Sequence, residues 1–96
     1  MPTHSEDPRF ARDFAKLGAA RQARFRTVLT QFVEDLQKRR FRPGLRVKRV
    51  SAHPGIWEMS WGPDDRATFQ FGQEIREGDP HIVWRRIGSH DIFRQP

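Results

Sequence analysis

Cysteine is absent from the sequence, which excludes disulfide bonds, thiol nucleophiles and thiolate metal sites together. Tyrosine is absent too, so no phenol can serve as an acid or base. No apolar run approaches the roughly 20 residues that span a bilayer. Met1 to Phe10 is polar and lacks the apolar stretch of a signal peptide, so a cytoplasmic protein is expected. Gly-x-Gly-x-x-Gly, a Walker-type phosphate loop, Gly-x-Ser-x-Gly, His-Glu-x-x-His and a calcium loop are all missing. His4, His53, His81 and His90 are scattered with no i, i+4 pair and no companion carboxylate cluster, so no metal and no other cofactor is expected. His53, before Pro54-Gly55, reads as a turn residue, and His81, after Asp79-Pro80, as the start of a strand.

What is present is basic. The 96 residues, enough for one hydrophobic core and hence one domain over 1–96, carry 18 Lys and Arg against 12 Asp and Glu, a net charge of +6. Such a surplus favours polyanions through counterion release and electrostatic steering. Fifteen of the 18 are Arg, whose planar fork of donors matches phosphate in two-point contact.

The first half has helical periodicity and the second half has strand alternation, with the change at Arg42-Pro43-Gly44. Asp7-Pro8 has the form of a helix N-cap followed by Pro in the first turn. Phe10, Phe14 and Leu17 then share a face, and Gly18 ends the helix. From about Ala19 to Arg40 the set Phe25, Val28, Leu29, Phe32, Val33 and Leu36 forms a core-facing stripe, with Arg24, Thr27, Gln31, Glu34, Asp35 and Lys38 on the wet side. Helices are therefore expected within about 8–40. Four strands are expected within about 45–87, at Leu45–Val50, Ile56–Trp61, Arg66–Phe71 and His81–Ile87, and a tail over 88–96. The short breaks between strands imply antiparallel hairpins. Alternation places Leu45, Val47, Trp57, Met59, Trp61, Ala67, Phe69 and Phe71 on a face for the helices to cover. It leaves Arg46, Lys48, Glu58, Arg66, Thr68 and Gln70 on an open polar face. The predicted class is α+β, with two N-terminal helices packed on one face of a small antiparallel sheet. The last strand alternates poorly, and its pattern does not say which of Arg85 and Arg86 faces outward.

The C-terminal run Trp84-Arg85-Arg86-Ile87-Gly88-Ser89-His90-Asp91-Ile92-Phe93 compresses two guanidiniums, a glycine, an imidazole, a carboxylate and an aromatic ring into ten residues. Histidine can pass a proton near neutrality, arginine can hold a phosphate as its charge grows, and an aromatic ring can stack on a base. In the plainer alternative, Asp91 pairs with a nearby Arg, His90 is merely exposed, and Ile92 and Phe93 tuck the tail onto the core.

The chain resembles the RelE/ParE superfamily of bacterial toxins from type II toxin–antitoxin pairs. The resemblance runs from the paired helices through Phe41-Arg42-Pro43-Gly44-Leu45-Arg46-Val47-Lys48, Gly55-Ile56-Trp57-Glu58-Met59-Ser60-Trp61 and Asp65-Arg66-Ala67-Thr68-Phe69 to the closing Arg86-Ile87-Gly88-Ser89-His90-Asp91-Ile92-Phe93. It implies a metal-independent endoribonuclease that cuts messenger RNA on the ribosome and is silenced by a cognate antitoxin. Arg66 matches the family's Arg that grips the scissile phosphate, and His90 matches the proton donor of some branches. Arg86 matches the basic residue ahead of the Gly, and Phe93 lies near the C-terminal aromatic. Glu58, with Lys48 as the neighbouring option, falls where a base is needed for the 2′-hydroxyl. Arg46, Lys48, Arg49, Arg85 and Phe93 are the expected RNA contacts. Several members end in a functional Tyr, which this chain lacks, and the family's N-terminal edge strand is not visible in Met1 to Asp7. The family also contains inhibitors of DNA gyrase that cut nothing, and a catalytically inactive RNA- or antitoxin-binding module is a third possibility.

Overall fold

The computed structural model describes residues 1–96. A strand β1 (Thr3–Glu6) leads into helices α1 (Pro8–Ala15) and α2 (Ala19–Lys38). A single 3₁₀ turn (Pro43–Leu45) and strands β2 (Lys48–Arg49), β3 (Trp57–Ser60), β4 (Asp65–Gly72) and β5 (His81–Ser89) follow, and a 3₁₀ segment at His90–Arg94 closes the chain. The strands form one sheet in the order β1-β5-β4-β3-β2. The α+β architecture and the antiparallel β2 to β5 ladder are as expected. β1 adds a parallel edge strand, with Thr3 to Glu6 opposite His81 to Trp84. No helix is long and apolar enough to cross a membrane.

Both helix entries follow from local chemistry. The Asp7 carboxylate accepts the backbone N–H of Arg9 at 2.8 Å, and Pro8 occupies the first turn. Gly18, with φ of 83°, makes the short link to α2, a left-handed conformation that a side chain would strain. The α2 stripe buries Phe25, Phe32 and Leu36 fully and Val28, Leu29 and Val33 partly. Phe32, with no exposed surface, packs against Phe41, Phe69 and Trp84 at ring-centroid distances of 5.3, 5.1 and 5.2 Å, joining α2 to the middle of the sheet.

Three expectations need correction, and a fourth reading gains its physical reason. Asp35, assigned to the wet side of α2, is buried. Its carboxylate accepts the Arg42 backbone N–H and two guanidinium N–H groups at 2.8–2.9 Å, and these bonds lower its pKa to about 2. The first sheet strand is not Leu45–Val50 but Lys48–Arg49 alone, because Leu45 ends the 3₁₀ turn and Arg46 adopts left-handed φ and ψ of 49° and 44°. Phe71, assigned to the covered face, is 47% exposed, on the wall of a cleft that separates it from Leu36 and Arg39 at the end of α2. Finally, β5 alternates poorly because it is bulged. Thr68 faces Arg86 while Phe69 faces Trp84, leaving Arg85 as the extra residue.

Candidate active site at the turn between β3 and β4

Cross-strand register places Lys48, Glu58, Thr68 and Arg86 in one row across the sheet, and Ser60, Arg66 and Gly88 in the next row of the same face. Glu58, Lys48 and Arg66 therefore share the face opposite the helices, as alternation implied, and the register adds Arg86, which the pattern left open. Arg49 does not. It sits opposite Trp57 with its guanidinium 5.3 Å from that ring, on the reverse face.

That face is not open over its whole width. The C-terminal segment folds back across it, burying Ile92 and Pro96. A Cβ on Gly88 would lie 3.1 Å from Ile92 Cγ2, so glycine lets the segment lie close. The Arg86 guanidinium donates to the Gln95 carbonyl at 3.1 Å and to Asp13 of α1 at 2.6 and 3.2 Å. Arg85 donates to the Pro96 carbonyl at 3.2 Å and to Gln70 at 2.5 Å. Both arginines, expected to be free for RNA, hold the tail. Beneath the tail Thr68 is fully buried and accepts the Arg86 backbone N–H.

Arg66, expected on the open face, is only 9% exposed. One of its terminal nitrogens donates to the carbonyls of Gly62, Pro63 and Asp65 at 3.2, 3.5 and 2.9 Å. The guanidinium thus caps the β3–β4 turn and carries a charge with no carboxylate partner. The turn has a second clamp on its other side. The Asp65 carboxylate, 5% exposed, accepts from Arg21 at 2.6 Å and from Arg24, both on α2. These two guanidiniums also lie 5.4 Å from the Trp61 ring. Gly62 is required here, since a Cβ would fall 2.2 Å from Asp65 Oδ2.

The clamped turn carries Asp64, which lies out in solvent next to His90. His90 Nδ1 is 2.7 Å from Asp64 Oδ1, with both side chains well exposed. The hydrogen bond from His90 is the main cause that holds the Asp64 carboxyl below its ordinary range, and the charges of His90, Arg66 and Arg21 add to it. With Nδ1 donating to a carboxylate, Nε2 is left facing outward. The Phe93 ring meets the imidazole edge-on, 5.6 Å between centroids. Ser89 caps the final 3₁₀ segment by accepting the Asp91 backbone N–H at 3.3 Å, which fixes where His90 starts. The partner of His90 is therefore Asp64, 26 residues away, and not the adjacent Asp91. Nothing in spacing marked Asp64; only the pairing of β4 with β5, Asp65 opposite Ser89, brings the two together.

Arg46, exposed at the end of the 3₁₀ turn, lines a cleft with Arg66 that runs behind the same turn. The site residues thus fall into three sets: His90, Asp64 and Phe93 at the surface, Arg66 and Arg46 in the cleft, and Lys48 and Glu58 on neighbouring strands of the polar face.

No family model and no curated protein matches the sequence. Solved structures do match the fold. A copper-bound mutant toxin from Helicobacter pylori aligns at a TM-score of 0.66 and 20% identity, over 95% of this chain and 97% of that one. The toxin–antitoxin complex DinJ–YafQ from E. coli gives 0.69 and 13%, over 95% and 96%. The intact E. coli RelBE toxin–antitoxin complex gives 0.61 and 16%, over 93% and 96%. Two helices on a five-stranded mixed sheet, matched over nearly the full length, give this chain the fold of the RelE-like toxins.

Proposed function

We propose that the protein is the toxin of a type II toxin–antitoxin pair and a metal-independent endoribonuclease that cuts messenger RNA on the ribosome. The observation that carries this reading is the His90–Asp64 pair: an exposed imidazole held by a carboxylate at 2.7 Å, with an aromatic ring against it and an unpaired guanidinium behind the turn. Cleavage without metal needs a base for the 2′-hydroxyl proton, cations for the charge that grows on phosphorus, and an acid for the 5′ leaving oxygen. His90 is the acid. Its proton passes to the 5′ oxygen as the P–O5′ bond breaks and the 2′ oxygen bonds to phosphorus, leaving a 2′,3′-cyclic phosphate. Glu58 accepts the 2′-hydroxyl proton, with Lys48 beside it on β2 as the alternative base. Arg66 and Arg86 supply positive charge, that of Arg86 partly offset by Asp13. Arg46, Lys48 and Phe93 contact the RNA, with Arg85 joining them where the tail is displaced.

An antitoxin is the proposed partner. The support is the +6 charge of this chain together with two matched folds, YafQ and RelE, solved with their antitoxins. An acidic segment lying over the basic polar face would neutralise it.

Induced expression tests the reading. Rapid arrest of translation with messages cut within the reading frame is expected, lost in His90→Gln. In vitro, cleavage of ribosome-bound message should persist in EDTA once ribosome integrity is controlled. DNA damage with intact messages would overturn the nuclease in favour of gyrase inhibition, and absence of toxicity would point to an inactive binding module.

A further inference from the structure

Behind the β3–β4 turn, between α2, the 3₁₀ turn at Pro43–Leu45 and the end of β3, lies a cleft of about 280 Å³. Its polar lining residues are Gln31, Arg42, Arg46, Ser60 and Arg66, and Trp61 lines it with them. No lining residue is acidic.

The three arginines are not equivalent. Arg42 is neutralised by Asp35, with Glu34 3.6 Å away as a second carboxylate. Arg46 and Arg66 form no salt bridge. The Arg66 guanidinium is held on carbonyls through one terminal nitrogen, so it is fixed in place and nine-tenths buried while its charge is unmatched. A buried charge held only by carbonyl dipoles is a costly arrangement in a chain with twelve carboxylates to choose from. Arg46 adds a second oddity, because its backbone is held in the left-handed region, φ 49°, at the mouth of the cleft. Local strain of this kind persists where surrounding structure fixes it.

The third observation is independent of charge. Trp61 is 3% exposed, and its indole N–H is the one buried side-chain polar group with no hydrogen-bond partner. An unpartnered buried donor gives up its bonds to water and gains none in return. The cleft therefore combines two guanidiniums without carboxylate partners, a serine and a glutamine, and the tryptophan that carries the orphan N–H stands in its wall. Every strong group in it can donate and none is an anion, a set that fits an oxyanion with several acceptor oxygens.

We propose that this cleft is a phosphate-binding site, and that it takes a backbone phosphodiester of the RNA strand next to the one cleaved at His90. The strand assignment rests on the nuclease reading; the phosphate assignment does not. Arg66 lies between the two places: its guanidinium lines the cleft, and its charge reaches Asp64 of the His90 pair. A strand crossing the turn would put one phosphate beside the imidazole and a neighbouring one in the cleft, so binding energy from the second would orient the first.

Two-dimensional NMR of the wild-type protein tests this by following the Trp61 indole N–H, assigned with Trp61→Phe. The probes are inorganic phosphate and a short 2′-O-methyl oligoribonucleotide, which cannot be cleaved through its 2′ oxygen. The Trp61 signal should shift and saturate with phosphate but not with chloride at equal ionic strength, and with the oligonucleotide at lower concentration. Arg46→Ala should weaken the oligonucleotide about tenfold, the loss of one charge-assisted contact, and lower its log–log salt slope by about 0.7. Inorganic phosphate reports on the cleft alone, which separates this site from the cleavage chemistry. A Trp61 signal indifferent to phosphate, or Arg46→Ala binding unchanged, overturns the site. Saturable phosphate binding with no tighter binding of the oligonucleotide keeps the phosphate site and overturns the strand.

Discussion

Replacing Asp65 by Asn tests whether the β3–β4 turn is positioned by its ion pairs to α2. The carboxylate is buried, whereas the Arg21 and Arg24 side chains are 40% and 48% exposed. Breaking a fully buried ion pair costs about 3–5 kcal/mol, and losing an exposed one about 0–1 kcal/mol. Here both cations can return to water, no charge is left buried, and the asparagine retains one accepting oxygen. The cost should fall between the limits, at about 1–2 kcal/mol, which lowers Tm by about 4–16 °C for a chain of this length. Urea unfolding followed by tryptophan fluorescence measures it, with an unchanged m-value as the sign that only stability moved. The turn also carries Asp64, so the His90 imidazole should lose its fixed hydrogen bond, visible as a change in its ¹⁵N shifts. A Tm within about 2 °C of wild type, or no coupling between Asp65→Asn and Arg24→Ala in a double-mutant cycle, would refute the reasoning.

Phe32→Ala should cost about 3–5 kcal/mol, because it opens a cavity where four aromatic rings meet, and urea denaturation would show it. The Asp35–Arg42 pair should make stability acid-sensitive. The folded pKa of Asp35 is about 2, below its ordinary 3.8, so its contribution is complete above pH 4 and is lost as pH falls from about 4 through 2. Tm measured from pH 7 to pH 2 should drop across that window, with a smaller drop in Arg42→Ala. His90→Gln should reduce single-turnover cleavage by about 10²–10⁴-fold while leaving Tm unchanged, since the ring is well exposed.

The helices were legible because each announces itself locally. Asp7-Pro8 is a cap with its first-turn proline, and the α2 stripe repeats at the helical period from Phe25 to Leu36, about three turns. β1 was not legible, since Thr3-His4-Ser5-Glu6 has no apolar residue to alternate. It is a strand because the free edge of β5 offers it hydrogen bonds, with Thr3 N–H to the Pro80 carbonyl at 2.9 Å and Asp7 N–H to the Trp84 carbonyl at 2.8 Å. Buried His81 adds side-chain hydrogen bonds that link its two ring nitrogens with the hydroxyls of Thr3 and Ser5. The end of β5 is ambiguous for a different reason: its pattern alternates poorly because one bulged residue at Arg85 shifts every side chain after it, so the period alone cannot orient Arg85 and Arg86.

Alternation did place Lys48, Glu58 and Arg66 on one face, and the β5 bulge puts Arg86 with them, but a polar face is an open face only if nothing else lies on it. Ile92 and Pro96 are the covering groups, and their signal was present: an apolar residue four positions after Gly88 can fold back onto the strand that the glycine leaves bare. The cover changes what the surface offers a polyanion. Arg85 and Arg86 already donate to the carbonyls of Pro96 and Gln95, so a strand lying flat across the sheet must first displace the tail and break those bonds. A strand crossing the β3–β4 turn meets His90 and then the cleft of Arg46 and Arg66 with no such competition. Deleting Gln95 and Pro96 separates the two paths. If the turn is the route, the truncated protein should bind a 2′-O-methyl oligonucleotide within about twofold of the full chain, whereas binding across the sheet would strengthen severalfold once the tail is gone.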